Sequence, residues 1–163
     1  MKVLIVSDTH GRHAGIEEAI EREYPFQKLI HLGDAEGYEE YIAELAECPI
    51  EIVAGNNDFF SDLPDEKIIF IEDFCALITH GHAYGVSMGY QNIRNEGRVR
   101  GVDAVMFGHP ARPPKTRTRH RRNVKRRLCA AACARSACHA SRGPAQAGSS
   151  VAAWSYRNPS VRK

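Results

Sequence analysis

The feature that most constrains this fold is a series of short apolar runs separated by segments with helical spacing. Residues 2–7 (KVLIVS) show no alternation of polar and apolar residues, which is typical of a strand covered on both faces. Similar strand-like runs are found at 28–32, 50–54, 67–71, 75–79 and 104–107. Apolar residues three or four apart predict helices over 14–23, 38–46 and 87–96.

The order of these elements predicts an α/β fold. Strand, helix, strand, helix and strand follow one another, as in right-handed βαβ units with a largely parallel sheet. The fourth and fifth strands are separated by only three residues, 72–74, and we expect a hairpin there. No apolar run is long enough to span a membrane, and the first is too short for a secretory signal. We therefore expect a cytoplasmic protein with no membrane partner.

Charge divides the 163-residue chain into two parts. Residues 1–109 contain 8 Lys and Arg against 20 Asp and Glu, a net charge of −12. Residues 110–163 contain 14 Lys and Arg and no acid, together with one Leu and neither Ile nor Phe. A segment of this composition buries too little apolar surface to offset its ordering entropy. We therefore predict a folded core over 1–109 and a basic Arg/Ala-rich tail over 110–163.

Polar side chains follow five of the six predicted strands at the point where each strand ends. They are Asp8 and His10, Asp34, Asn56, His80 and His109. In open α/β sheets, ligands bind beyond the carboxyl ends of the strands, so we expect these side chains to converge. Carboxylate, amide and imidazole donors suit Mn²⁺, Fe or Zn²⁺ better than Ca²⁺, and the absence of thiolates argues against a structural zinc site. Two cations bridged by one carboxylate, about 3.5–4 Å apart, are an arrangement used for phosphoryl-ester hydrolysis.

Five motifs, SDTHG, HLGD, GNND, THGH and FGH, occur in this order over residues 1–109. In sequence and position they resemble the calcineurin-like metallophosphoesterases, and in spacing the small bacterial and archaeal phosphodiesterases. The resemblance implies a sandwich of two sheets flanked by helices. It also implies two divalent metal ions, with Mn²⁺ expected and Fe, Ni or Zn as alternatives. The implied reaction is hydrolysis of a small phosphodiester, or of a monoester, by a metal-bound hydroxide without a covalent intermediate.

The resemblance assigns roles to individual residues. Asp8 and His10 would bind the first metal, and Asp34 would bridge both metals. The second metal would be held by Asn56, His80 and His109. Asp34, Asn56 and His80 are also the residues expected to act in catalysis, and the residues expected outside the ligands or against the substrate are Asn57, Asp58 and His82.

Two positions depart from the family pattern. The family's last motif ends in a histidine that completes the first metal site, and this position is Ala111 here. Larger family members have a histidine that helps the leaving group depart, and this position is Asn57 here. We therefore expect impaired hydrolysis. The alternative is a non-catalytic scaffold of the same fold, because the resemblance includes a eukaryotic trafficking subunit without robust catalysis.

The tail also departs from the family, which has further strands and an Asn-Pro-Gly-Ser turn beyond this point. We expect the C-terminal strands to be lost or aberrant. A frameshift near the codon of Pro110 would explain the missing histidine, the missing strands and the change of charge with one event, and the tail is otherwise expected to be disordered. A genuine basic tail would instead bind nucleic acid with a strong dependence on salt.

Overall fold

The computed structural model describes residues 1–109 and three later segments, 132–133, 139–141 and 150–155. All six strands and three helices predicted before residue 109 are present, although the third helix begins at Gln91 rather than at residue 87. The elements in chain order are β1 (Lys2–Ser7), α1 (His13–Glu23), β2 (Lys28–His31), α2 (Glu39–Ala46), β3 (Ile50–Ile52), β4 (Glu66–Ile71), β5 (Phe74–Thr79), a 3-10 turn (His82–Tyr84), α3 (Gln91–Val99), β6 (Ala104–Phe107), β7 (Ala132–Cys133), β8 (His139–Ser141) and β9 (Ser150–Ser155).

The strands form two sheets. The first has the order β3-β2-β1-β9-β8, with β1, β2 and β3 parallel and β9 antiparallel to both of its neighbours. The second has the order β4-β5-β6-β7, in which β5 and β6 are parallel and the outer pairs are antiparallel. The predicted βαβ units and the β4–β5 hairpin are therefore confirmed.

Both faces of β1 are covered, which explains its uninterrupted apolar run, whereas the outer face of the edge strand β4 is exposed at Ile68 and Phe70. Val3 and Ile5 belong to a core that also contains buried residues of β4, β5 and β6, so the two sheets pack face to face. Leu4 and Val6 point the other way, into a core shared with α1 and α2. Ile93 of α3 packs on the far side of the second sheet. The layers are thus helix, sheet, sheet and helix.

Three short strands lie beyond residue 109, where the sequence pattern predicts none. β7 pairs with β6, and β9 runs along the whole of β1 from Lys2 opposite Ser155 to Ser7 opposite Ser150. The expectation of lost strands is corrected for these segments, because pairing uses backbone groups that apolar periodicity does not reveal. The remaining residues of 110–163, and the expectation that they are out of frame or disordered, lie outside the described residues.

The carboxyl ends of the two sheets meet at one end of the sandwich. Gly108, directly after β6, lies so close to the end of β1 that a Cβ atom there would be 1.9 Å from Ser7 Oγ. Only glycine allows this approach. The residues that follow β1, β2, β3, β5 and β6 are therefore brought together despite their separation along the chain.

Candidate metal centre

The loops after β1, β2 and β6 each contain a predicted ligand in the left-handed backbone region. The φ angles are +58° at Asp8, +61° at Asp34 and +51° at His109. Residues other than glycine adopt this region at a cost, and such conformations cluster at functional sites. The backbone N–H of Asp8 donates to the carbonyl of Gly33 at 3.0 Å, which fixes the first loop on the second.

Asp8, Asp34 and His80 form the buried centre of the site. Each offers one ligand atom, and these atoms all lie within 4.8 Å of one another. Their side chains are almost completely buried, with relative exposures of 4%, 2% and 0%. Two carboxylates buried this closely repel each other unless a cation compensates their charge. The donor set therefore fits a divalent cation.

The protonation of His80 strengthens this conclusion. Its Nδ1 lies 2.7 Å from the carbonyl oxygen of Leu32, which can only accept, so Nδ1 carries the hydrogen. In the neutral ring, Nε2 then presents a lone pair. Asn56 Oδ1, His109 Nδ1 and Asp34 Oδ2 approach this nitrogen at 3.1, 3.3 and 3.5 Å. A cation among these oxygen and nitrogen atoms would stabilise the cluster.

His10 approaches the same oxygen of Asp34 as His80 does. Its Nε2 is 3.8 Å from Asp34 Oδ2, and its Nδ1 is 2.7 Å from Glu36 Oε1. The hydrogen bond to Glu36 is the main cause that raises the pKa of His10, despite an opposing effect of burial. The motifs did not single out Glu36. The signal in the sequence that could have identified Glu36 is its position two residues after Asp34, because the same loop then carries both carboxylates.

Asn57 binds the carboxylate of Asp34 directly. Its backbone N–H donates to Oδ1 at 2.9 Å, and its side-chain amide donates to Oδ2 at 2.7 Å. A carboxylate oxygen has two lone pairs, so one on each oxygen of Asp34 remains available. Asp34 can therefore be held in place by Asn57 and still bridge two cations.

Asp58 organises the backbone around Asp34. Its Oδ2 accepts from the N–H groups of Asp34 at 2.8 Å and Gly55 at 2.7 Å, and its Oδ1 accepts from the N–H of Glu36 at 2.7 Å. One side chain thus joins the loop after β2 to the loop after β3. The placement of Asp58 outside the ligands or against the substrate stays a prediction.

His31 supports the same loop from within the core. Burial lowers its pKa to about 4, so the ring is neutral near pH 7. Nδ1 accepts from the N–H of Gly33 at 3.2 Å, which leaves Nε2–H to donate to Thr9 Oγ1 at 3.0 Å. The Thr9 hydroxyl in turn donates to the carbonyl of Asp34 at 3.3 Å. His31 is thus a hydrogen-bonded residue of the core.

The structure brings the six predicted ligands into one contiguous cluster. His82 is exposed at the edge of this cluster, with its ring centre 5.5 Å from that of His80. Ala111, which the resemblance places at the last ligand position, lies outside the described residues.

A cleft of about 870 Å³ opens beside the cluster. It shares Asn57 and Asp58 with the site, and Phe59 and Phe60 lie on its wall with exposed rings. Its lining carboxylates are Glu36, Glu39, Glu40, Asp58 and Asp62. The cleft thus combines aromatic surface with negative charge.

Comparison with known proteins agrees with this geometry. The calcineurin-like phosphoesterase superfamily domain matches residues 1–127. The chain belongs to this superfamily. The probable metallophosphoesterase YsnB of Bacillus subtilis is 34% identical over 110 residues, which cover 67% of this chain and 63% of that protein. The family predicted from the five motifs is therefore confirmed.

Solved structures show the same fold. A mutant of Vps29 from Entamoeba histolytica matches with a TM-score of 0.57 and 26% identity, over 67% of this chain and 64% of that chain. A predicted phosphoesterase from Streptococcus pneumoniae matches with a TM-score of 0.56 and 24% identity, over 66% of this chain and 61% of that chain. Vps29 of Entamoeba histolytica was also solved in complex with Zn²⁺, with a TM-score of 0.54, 21% identity and coverage of 67% and 64%.

The chain spans less than two thirds of the length of these relatives. The α/β fold is confirmed by the structures, and phosphoesterase chemistry with divalent metal is the property of the superfamily. Among the described residues, no helix is long and apolar enough to cross a bilayer.

Proposed function

We propose that this chain is a metal-dependent phosphoesterase that hydrolyses small phosphodiesters, with monoesters as a second substrate class. The observation that carries the proposal is the buried group of Asp8, Asp34 and His80, whose ligand atoms lie within 4.8 Å of one another. The proposed ion is Mn²⁺, because it accepts mixed oxygen and nitrogen ligands, and Fe, Ni or Zn satisfy the same donors.

Divalent cations bound here would supply Lewis-acid stabilisation of the charge that develops on the phosphoryl oxygens. The chain's own residues orient the site. Asp34 Oδ2 faces both His10 and His80, and Asn57 holds the carboxylate through two hydrogen bonds. Asn57 occupies the position of the leaving-group histidine of larger members, but its amide is engaged with Asp34. We therefore assign Asn57 to the bridging carboxylate and not to the leaving group.

The cleft supports a substrate that is small and carries a single negative charge. Its five lining carboxylates would repel a second phosphate, whereas the exposed rings of Phe59 and Phe60 offer a surface for an aromatic ester arm. Among diesters with the same nitrophenolate leaving group, we expect neutral aromatic second arms to give a lower KM than arms bearing a further phosphate. Equal KM values would contradict this substrate class, and the measurement is KM for each diester from initial rates.

The principal test is the Asp34→Asn variant. Loss of the bridging charge should lower Mn²⁺-dependent kcat/KM on a chromogenic diester by at least about 100-fold, because several kcal/mol of transition-state stabilisation depend on both cations. Glu44→Ala, an exposed carboxylate of α2 outside the site, is the matched control and should keep wild-type activity. Turnover that survives Asp34→Asn, or that needs no metal, would refute the proposal.

A second candidate is a scaffold that binds metal without turnover. It is favoured by Ala111 at the last ligand position, by the engagement of Asn57 with Asp34, and by the likeness to Vps29. In this candidate function, which follows from the resemblance to the eukaryotic trafficking subunit, the chain would bind a protein partner through its surface. Tight Mn²⁺ binding without hydrolysis of any diester or monoester in the panel would support this candidate over the enzyme.

Binding of nucleic acid stays a prediction that depends on the charge of residues 110–163. These residues carry 14 Lys and Arg and no acid. A genuine basic tail should bind duplex DNA with an affinity that falls steeply between 50 and 200 mM salt, roughly in proportion to the number of phosphates neutralised. If the chain does not bind duplex DNA even at low salt, the prediction of nucleic-acid binding is wrong.

A further inference from the structure

Glu36 contacts one predicted ligand on the side that faces away from the other ligands. Its Oε1 lies 2.7 Å from Nδ1 of His10, whereas Nε2 of the same ring faces Asp34 Oδ2 at 3.8 Å. The imidazole therefore spans the space between two carboxylates, one in the buried cluster and one at the surface. None of the sequence motifs assigned a role to Glu36.

The backbone places Glu36 for this contact. Its φ angle of +57° lies in the left-handed region, and its N–H donates to Asp58 Oδ1 at 2.7 Å. The other oxygen of Asp58 accepts from the N–H of Asp34 at 2.8 Å. The N–H of His10 donates to the carbonyl of Asp34 at 3.0 Å. Because these bonds tie Glu36, Asp34 and His10 to one another through Asp58, the contact between Glu36 and His10 is built into the loops.

The chemistry of the contact fixes which nitrogen of His10 can bind a cation. A carboxylate only accepts, so Nδ1 carries the hydrogen and Nε2 presents its lone pair toward Asp34. A carboxylate behind an imidazole also makes the ring a stronger donor, and such partners commonly stand behind metal-binding histidines. We propose that Glu36 is a positioning residue of the metal centre, which sets the tautomer and orientation of His10 for the first cation. This inference rests on the proposed function, because it requires that His10 binds metal.

The test measures Mn²⁺ affinity by the loss of the free Mn²⁺ signal in electron paramagnetic resonance. Glu36→Ala should weaken binding about 10- to 100-fold, as removal of such partners does in other metal sites. Glu36→Gln should recover part of this loss, because its amide oxygen still accepts from Nδ1–H. Glu44→Ala is the control, since it removes a carboxylate of α2 away from the site. Thermal unfolding without metal shows whether each variant folds.

A double-mutant cycle separates positioning from a general effect on the loop. If Glu36 acts through His10, then Glu36→Ala should cost no further Mn²⁺ affinity in a His10→Ala background. Losses that simply add, or a Glu36→Gln variant as weak as Glu36→Ala, would overturn the inference while leaving Mn²⁺-dependent hydrolysis by the wild type intact. Conversely, coupled losses of affinity in a chain without turnover would support the inference and refute the enzyme. A wild-type chain that binds no Mn²⁺ overturns both.

Discussion

At the scale of single residues, Asp34 shows why hydrogen bonding alone does not account for the site. Each of its oxygens accepts a hydrogen bond from Asn57, yet the side chain is 2% exposed and keeps a full negative charge when ionised. Its ion-pair contacts are with the imidazoles of His10 and His80, which are neutral when they act as ligands. The hydrogen bonds fix the orientation of the carboxylate, and a bound cation would compensate its buried negative charge.

His31 makes the stability of the fold depend on pH. Burial lowers its pKa to about 4 in the folded state, against 6.5 for the unfolded chain. Between these values the unfolded state binds the proton and the folded state does not, so stability falls as the pH falls from 6.5 to 4. The largest loss from this residue is about 3 kcal/mol. Urea unfolding of the metal-free chain at several pH values measures it.

The variant His31→Gln supplies the comparison for this prediction. It should be less stable at pH 7, because the network through Thr9 and Gly33 is disturbed. Its free energy of unfolding should vary less between pH 4 and 6.5 than that of the wild type, because the titrating ring is gone. Parallel pH curves for the two proteins would show that another group is responsible.

At the scale of elements, the sequence predicted the strands and helices of residues 1–109 because burial on both faces leaves uninterrupted apolar runs. It also predicted that the residues after five strands converge. Parallel pairing brings together the ends of β1, β2 and β3 and those of β5 and β6, and the packing of the two sheets joins these two groups. It did not predict β9, whose apolar run VAAW is half alanine, a residue depleted in strands, and which pairs with β1 through the backbone. Glu36 was missed for a related reason: its role depends on a left-handed turn and on a contact with His10, 26 residues earlier.

The loop after β3 tolerates only glycine at position 55. A Cβ atom there would lie 2.1 Å from Asp34 Oδ1 and 2.4 Å from Asp34 N. Gly55→Ala should therefore displace Asp34, lower stability by about 1–3 kcal/mol and weaken Mn²⁺ binding. Gly89→Ala is the control, because a Cβ atom at that position meets nothing within 4 Å. Wild-type Mn²⁺ affinity in Gly55→Ala would show that the two loops are not tightly joined.

At the scale of the whole molecule, an acidic core is joined to a basic tail, and the frameshift remains a prediction about this boundary. The nucleotide sequence tests it directly: a single-base change near the codon of Pro110 should restore the final histidine of the last motif and an Asn-Pro-Gly-Ser turn. Residues 150–155 pair with β1 and so form part of the first sheet. We therefore expect the stability of β1 to depend on this segment.

A proline in β9 tests this pairing. Ala152 lies opposite Ile5 in a strand that pairs with β1 over its whole length. Proline lacks the backbone N–H and is disfavoured within a paired strand. Ala152→Pro should lower Tm by roughly 4–8 °C, equivalent to about 2 kcal/mol. It should also speed hydrogen exchange of β1 amides, whereas Ala152→Val should do neither. If Ala152→Pro leaves both unchanged, β1 is stable without this neighbour, and the acidic core folds independently of the sequence that follows it.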